Sequence, residues 1–123
     1  MYKRQVLRGV GIDIVDLDRI REQIKKGDLF AKRVLTPKEF EQYQKYQGNR
    51  QVEYLAGRFS CKESFSKAMG VGLGTIVKFK EVEIIDNDLG QPEMTAKSYH
   101  GRIFVSISHE KRYLVTQVVL EDI

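Results

Sequence analysis

A chain of 123 residues, 41% apolar and 31% charged, has the size of one domain and enough apolar material for one modest core. Its 21 Lys and Arg against 17 Asp and Glu leave a net charge of +4, which points to an anionic partner: a nucleic acid, a phosphorylated small molecule or an acidic protein. A lone cysteine, Cys61, excludes an internal disulfide and fits a reducing compartment. The start MYKRQVLRGV lacks the apolar core of a signal peptide, and no apolar run nears the ~20 residues of a membrane span, so a cytoplasmic protein with no membrane contact is expected.

In chain order, Val6 to Val15 reads as a strand interrupted by Gly9 and Gly11. Asp16 is placed to cap a short helix carrying Leu17, Ile20 and Ile24, closed by Gly27. Asp28 to Leu35 predicts another helical turn or two. Thr36-Pro37-Lys38-Glu39 is a capping box with proline at the first helical position, opening a helix to about Tyr46. After a loop from Gln47 to Arg50, a long helix is expected from about Gln51 to Met69, stopped by Gly70. The period then changes. Ile76, Phe79, Val82 and Ile84 lie in a β-rich stretch, and Asp86-Asn87-Asp88-Leu89-Gly90 is a turn cluster. Ile103, Val105 and Ile107 alternate along a half-buried strand, His109 to Arg112 turn the chain, and Tyr113 to Leu120 form a last strand. Helices first and strands after predict an α+β fold, an antiparallel sheet packed by the long helix, as a single domain over residues 1–123.

The long helix is apolar on two sides, one with Val52, Leu55, Ala56 and Phe59, the other with Tyr54, Cys61, Phe65 and Ala68. Cys61 is therefore read as a small core residue. One turn beyond Phe59 the first stripe meets Glu63, and a turn later Lys67. A carboxylate on a buried face needs a cation. That cation is either Lys67 or an arginine in a structural pair, or a divalent metal shared with a second carboxylate. Asp13, set in the apolar run Val10, Ile12, Ile14, Val15, is the candidate second ligand. Two oxygen ligands without clustered His or Cys suit Mg²⁺, which takes its other ligands from water and from substrate phosphates. Lys62, Lys67 and the run Gly70-Val71-Gly72-Leu73-Gly74 read either as a phosphate-binding end of this helix or as a helix cap and connector. His109 lies at a strand end, facing a loop rim.

Four segments in one order, GIDIVDLDRI, FAKRVLT, YLAGRFSCKESFSKAMG and VSISH, resemble the bacterial holo-acyl-carrier-protein synthases, the small single-domain phosphopantetheinyl transferases. The resemblance covers nearly the whole chain. It implies transfer of phosphopantetheine from coenzyme A to a serine hydroxyl of an acidic apo acyl carrier protein, dependence on Mg²⁺, and a homotrimer with sites between subunits. It further implies that Asp13 and Glu63 hold the metal and that Lys67 and His109 contact the coenzyme A phosphates, with Lys67 also assisting proton transfer. Arg58 and Lys62 match basic positions around the same site, and Arg19, Phe30 and Arg33 match positions facing the carrier protein. Ser64 departs from relatives that read K-E-A, and its angle on the helix points it away from Phe59, so no contact with the metal is expected.

Chemically, coenzyme A brings a pyrophosphate and a ribose phosphate, which accounts for a basic cluster, and the nucleophile belongs to the partner. A base must still take the serine proton, and Glu63, or a water it holds, is the first candidate. A nucleic-acid or anion-binding module is the rival reading. It rests on dispersed Lys and Arg alone and gives Asp13 and Glu63 nothing to do.

Overall fold

The computed structural model describes residues 6–70 and 78–123. Strand β1 (Val6–Asp16) leads into helices α1 (Leu17–Lys25), α2 (Leu29–Val34), α3 (Pro37–Tyr43) and α4 (Gly48–Met69). A 3₁₀ turn (Phe79–Glu81) then precedes β2 (Val82–Asp86), β3 (Pro92–Ala96), β4 (Arg102–His109) and β5 (Tyr113–Asp122). This is the α+β arrangement expected, with two antiparallel sheets in place of one: β1-β5-β4, and the hairpin β2-β3. The first and last elements pair, with Val10 opposite Val119, Asp13 opposite Thr116 and Asp16 opposite Tyr113.

Local signals account for the helix starts. The Asp16 side chain accepts from the Asp18 amide to cap α1, and Thr36 and Glu39 complete the capping box of α3. α3 ends three residues earlier than expected, and α4 starts three residues earlier, at Gly48. Proline at the head of β3 and its Glu and Thr hid that strand from the sequence reading; pairing with β2 makes it a strand. The core divides in two around α4. Leu17, Val34, Leu35, Tyr43 and Leu55 fill one cluster, and Cys61, Phe65, Ile84, Val118 and Leu120 the other.

How β1 meets α4 decides where the site lies. A Cβ on Gly9 would strike the carbonyl of Ala68, and one on Gly11 that of Ser64. The glycines therefore do not interrupt the strand. They let a helix backbone rest directly on it. Two strand residues rise about 6.7 Å and four helical residues about 6 Å, so the steps Gly9–Ala68 and Gly11–Ser64 lead next to Asp13–Ser60. That contact is present as a hydrogen bond, with Ser60 Oγ donating to Asp13 Oδ2 at 2.8 Å. The opposite face of β1 carries Val10, Ile12 and Ile14, all exposed.

Candidate active site

Asp13 and Glu63 line one hollow of about 220 Å³, together with Arg19, Ile20, Phe30 and Phe59. β1 carries Asp13 into it two residues beyond Gly11, on the same face as the two glycine contacts, and α4 carries Glu63 one turn beyond Phe59. The Phe59 ring packs on Phe30 at 5.4 Å between centroids, and the Arg33 guanidinium lies 5.8 Å from the centre of the Phe30 ring. Asp13, Glu63, Arg19 and Phe30, scattered over 51 residues of sequence (13 to 63), thus line one opening, with Arg33 against the Phe30 ring.

The electrostatics of that opening are unbalanced. Lys67 Nζ donates to Asp13 Oδ1 at 3.1 Å and to the Ile12 carbonyl at 3.0 Å. Among the described residues, no cation lies within ion-pair distance of Glu63. Burial, and then the negative charge of Asp13, push the Glu63 carboxyl above the usual carboxylate range, with Lys67 acting against both. Two neighbouring carboxylates, with Lys67 paired to Asp13 alone among the described residues, suit a divalent cation. Two side-chain ligands are also what Mg²⁺ uses when a substrate supplies phosphate oxygens. No cluster of three or more candidate ligands occurs among the described residues, so a closed metal cage is not what this site offers. Glu63 is half-buried at the mouth of the hollow, not in the middle of a buried face as expected, because the apolar contacts of this stripe end at Phe59, which packs on Phe30 and Phe79. Of the alternatives for the Glu63 cation, a structural pair with Lys67 is not formed: Lys67 pairs with Asp13 instead.

Arg58 and His109 lie elsewhere, in a second hollow of about 190 Å³ lined also by Tyr46, Arg50 and Asp86. Arg58 is almost fully buried, stacked 4.1 Å from the Tyr54 ring centre and donating to the Ile84 carbonyl and to Asp86. His109 is exposed, its Nε2 3.7 Å from Glu53. The two hollows share no lining residue. Within one chain, the residues assigned to coenzyme A are therefore split between two places.

Two expectations for phosphate contact are corrected. Lys62 is wholly buried, its ammonium donating to Glu39 Oε1 at 2.6 Å and to the Val34 carbonyl at 2.8 Å, so it faces away from both hollows. Gly70 closes α4 in the left-handed conformation (φ 78°), and its amide donates to the Lys67 carbonyl. It is a helix cap with no free N–H for an anion. Gly72 lies outside the described residues. Ser64 points to β5, where its Oγ lies 2.7 Å from Thr116 Oγ1, a contact the sequence reading did not anticipate. The sequence reading missed the partners of these groups: Glu39 for Lys62, and Ser60 and Thr116 behind Asp13. The small residues Ser60, Ser64 and Ala68 at four-residue spacing, opposite Gly9 and Gly11, were the available sign of close backbone approach.

Residues 9–119 match the model of the 4′-phosphopantetheinyl transferase superfamily. The chain is 58% identical over 118 residues to a holo-(acyl-carrier-protein) synthase of Lactobacillus johnsonii, covering 96% of this chain and 99% of the relative. A crystal structure of the holo-(acyl-carrier-protein) synthase of Bacillus anthracis in complex with coenzyme A (3′,5′-ADP) is similar with a TM-score of 0.88 at 38% identity, covering 95% of this chain and 98% of that one. The Neisseria meningitidis enzyme is similar at 0.84 and 35%, with 94% and 98% covered. The chain belongs to the holo-(acyl-carrier-protein) synthase family of phosphopantetheinyl transferases.

Proposed function

We propose that this chain, acting over its whole length as one catalytic unit, is a holo-(acyl-carrier-protein) synthase whose chemistry centres on Asp13 and Glu63. The enzyme transfers phosphopantetheine from coenzyme A to a serine of apo acyl carrier protein, for use in fatty acid synthesis. The serine oxygen attacks the phosphorus that bears pantetheine, and a new O–P bond forms. The pyrophosphate P–O bond breaks, and adenosine 3′,5′-bisphosphate departs with the bonding electrons. The observation that carries the site assignment is the half-buried Glu63, beside Asp13 and, among the described residues, without a cation at ion-pair distance.

Asp13 and Glu63 are the residues that would hold Mg²⁺, which when bound supplies charge neutralisation for the pyrophosphate. Lys67, exposed at the rim, adds positive charge for the same phosphates. Glu63, or a water it holds, is assigned as acceptor of the serine proton, because it is a carboxylate placed in the hollow beside Asp13. Arg19, Phe30 and Arg33 present a basic, aromatic border suited to an acidic carrier protein. Nothing in the fold favours the nucleic-acid reading.

The assembly we assign is a homotrimer. The separation of the Arg58–His109 hollow from the Asp13–Glu63 hollow is resolved if a neighbouring subunit brings one to the other. The outer sheet face also supports association, since Val10, Ile12, Ile14 and Phe104 are 50%, 59%, 64% and 52% exposed. The number three comes from the family resemblance. The lone buried thiol of Cys61 suits a reducing cytoplasm.

The decisive experiment is mass spectrometry of apo acyl carrier protein incubated with the enzyme, coenzyme A and Mg²⁺. A mass gain of one phosphopantetheine, abolished by chelation, is expected. No adduct, or transfer indifferent to chelation, overturns the reading.

A further inference from the structure

Behind Asp13 lies a chain of three hydroxyls, all wholly buried: Ser60, Thr116 and Ser64. Ser60 Oγ is 2.8 Å from Asp13 Oδ2 and 2.8 Å from Thr116 Oγ1. Thr116 Oγ1 is in turn 2.7 Å from Ser64 Oγ, which also reaches the Thr116 carbonyl at 3.3 Å. The proton order follows from the donor and acceptor inventory. A carboxylate only accepts, and each hydroxyl has one proton to give. Ser60 must therefore donate to Asp13 and Thr116 to Ser60, while Ser64 shares its one proton between Thr116 Oγ1 and the Thr116 carbonyl. The Thr116 and Ser60 donors both point toward the carboxylate, and each bond polarises the next.

We infer that Ser60, backed by Thr116, is a positioning residue for the metal ligand Asp13, fixing the carboxylate through Oδ2 while Oδ1 remains on the Lys67 side. The inference rests on the assignment of Asp13 as a ligand. Three observations support it. The bond is the third step of the strand-on-helix series that begins with Gly9–Ala68 and Gly11–Ser64, so its geometry is set by backbone packing and not by side-chain chance. Thr116 is opposite Asp13 in the β1–β5 register, so sheet pairing holds the second member in place. Burial of all three hydroxyls keeps water from competing for Oδ2. Partners of this kind orient ligating carboxylates, and their loss typically reduces metal affinity about 10–100-fold.

Ser60→Ala and Thr116→Val remove one hydroxyl each and nearly preserve shape, while Thr116→Ser keeps the hydroxyl. Mn²⁺ binding to the enzyme with saturating coenzyme A, followed by electron paramagnetic resonance, is the readout, with Asp13→Asn as reference and thermal melting as a check on folding. Ser60→Ala and Thr116→Val are expected to weaken Asp13-dependent Mn²⁺ binding about tenfold or more, with Thr116→Ser within about twofold of wild type. If Ser60→Ala melts lower but binds Mn²⁺ within about twofold of wild type, the hydroxyls are only structural and the inference is overturned. Should Ser60→Ala fail to fold, the contrast between Thr116→Val and Thr116→Ser makes the same decision. Wild-type binding no tighter than that of Asp13→Asn would instead overturn the metal assignment itself.

Discussion

Lys62 donates to Glu39 across 2.6 Å with both side chains wholly out of solvent, while its sequence neighbour Glu63 opens onto the Asp13 hollow. One helical step of 100° separates a structural charge from a reactive one. The Glu39 carboxylate accepts three hydrogen bonds. Its Oε1 also accepts from the Thr36 amide, and its Oε2 from the Ile84 amide, so α3, α4 and β2 meet on one group. Desolvation lowers the Lys62 pKa, and the charge of Glu39 opposes that.

Removing one partner of this pair leaves the other charge stranded. Lys62→Met is expected to destabilise the fold by about 3–5 kcal/mol, and Lys62→Met with Glu39→Leu to recover much of that loss. Urea denaturation measures both. Coenzyme A KM in the double variant should be close to wild type, because the Lys62 ammonium faces away from both hollows. A KM raised tenfold with stability intact would return Lys62 to the phosphates.

Glu63 carries the opposite trade. With its carboxyl raised by burial and by Asp13, the native chain holds a proton that the unfolded chain has already released. Stability therefore falls as pH rises through the folded value, and the ionised group is a net liability at neutral pH. Glu63→Gln should melt higher than wild type at pH 7 without metal, and the gap should close toward pH 4, where the wild-type carboxyl is protonated as well. The same substitution should nearly abolish transfer. A variant that melts lower at pH 7, or retains wild-type turnover, contradicts this account.

Much of this was legible before any coordinates. Caps at Asp16, Thr36 and Gly70 and the alternation of Ile103, Val105 and Ile107 mark elements through local chemistry, which sequence carries directly. Asp13 and Glu63 stood out because each breaks an apolar pattern. Lys62 misled because charge alone does not say which way a side chain faces, and the partner that buries it, Glu39, is 23 residues away on another helix. Ser60 and Thr116, 56 residues apart, carry no local signal of being joined. Only the packing of β1 on α4 and its register with β5 bring them to Asp13.

The carrier protein is expected to dock where Arg19 borders the hollow and Arg33 lies over Phe30. Arg19→Glu or Arg33→Glu should weaken apparent carrier affinity by about 1–3 kcal/mol each, with coenzyme A KM nearly constant. Wild-type affinity should fall as salt rises, because exposed charges are screened. Steady-state kinetics with carrier protein varied at two ionic strengths tests both statements. Unchanged carrier KM in Arg19→Glu would place docking elsewhere.

Gly11 offers the sharpest test of how the fold builds the site. A Cβ there meets the Ser64 carbonyl and the Ala68 amide nitrogen, backbone atoms that cannot rotate aside. The strand or the helix must move instead, at a cost of about 1–3 kcal/mol or more. Asp13 is two residues along the same face, and Ser60 one turn along the same helix edge, so a displacement here separates Asp13 from the hydroxyl that holds it. Gly11→Ala is therefore expected to lose stability and transfer activity together, although it adds only a methyl and touches no substrate. Gly57 supplies the contrast. It lies mid-α4, and its nearest contact for a Cβ is the Ile107 side chain at an ordinary 3.9 Å. Gly57→Ala should leave stability unchanged or raise it by up to about 1 kcal/mol through helix propensity. If Gly11→Ala melts like wild type, β1 does not rest on α4 as described, and the route by which Asp13 reaches Glu63 must be redrawn.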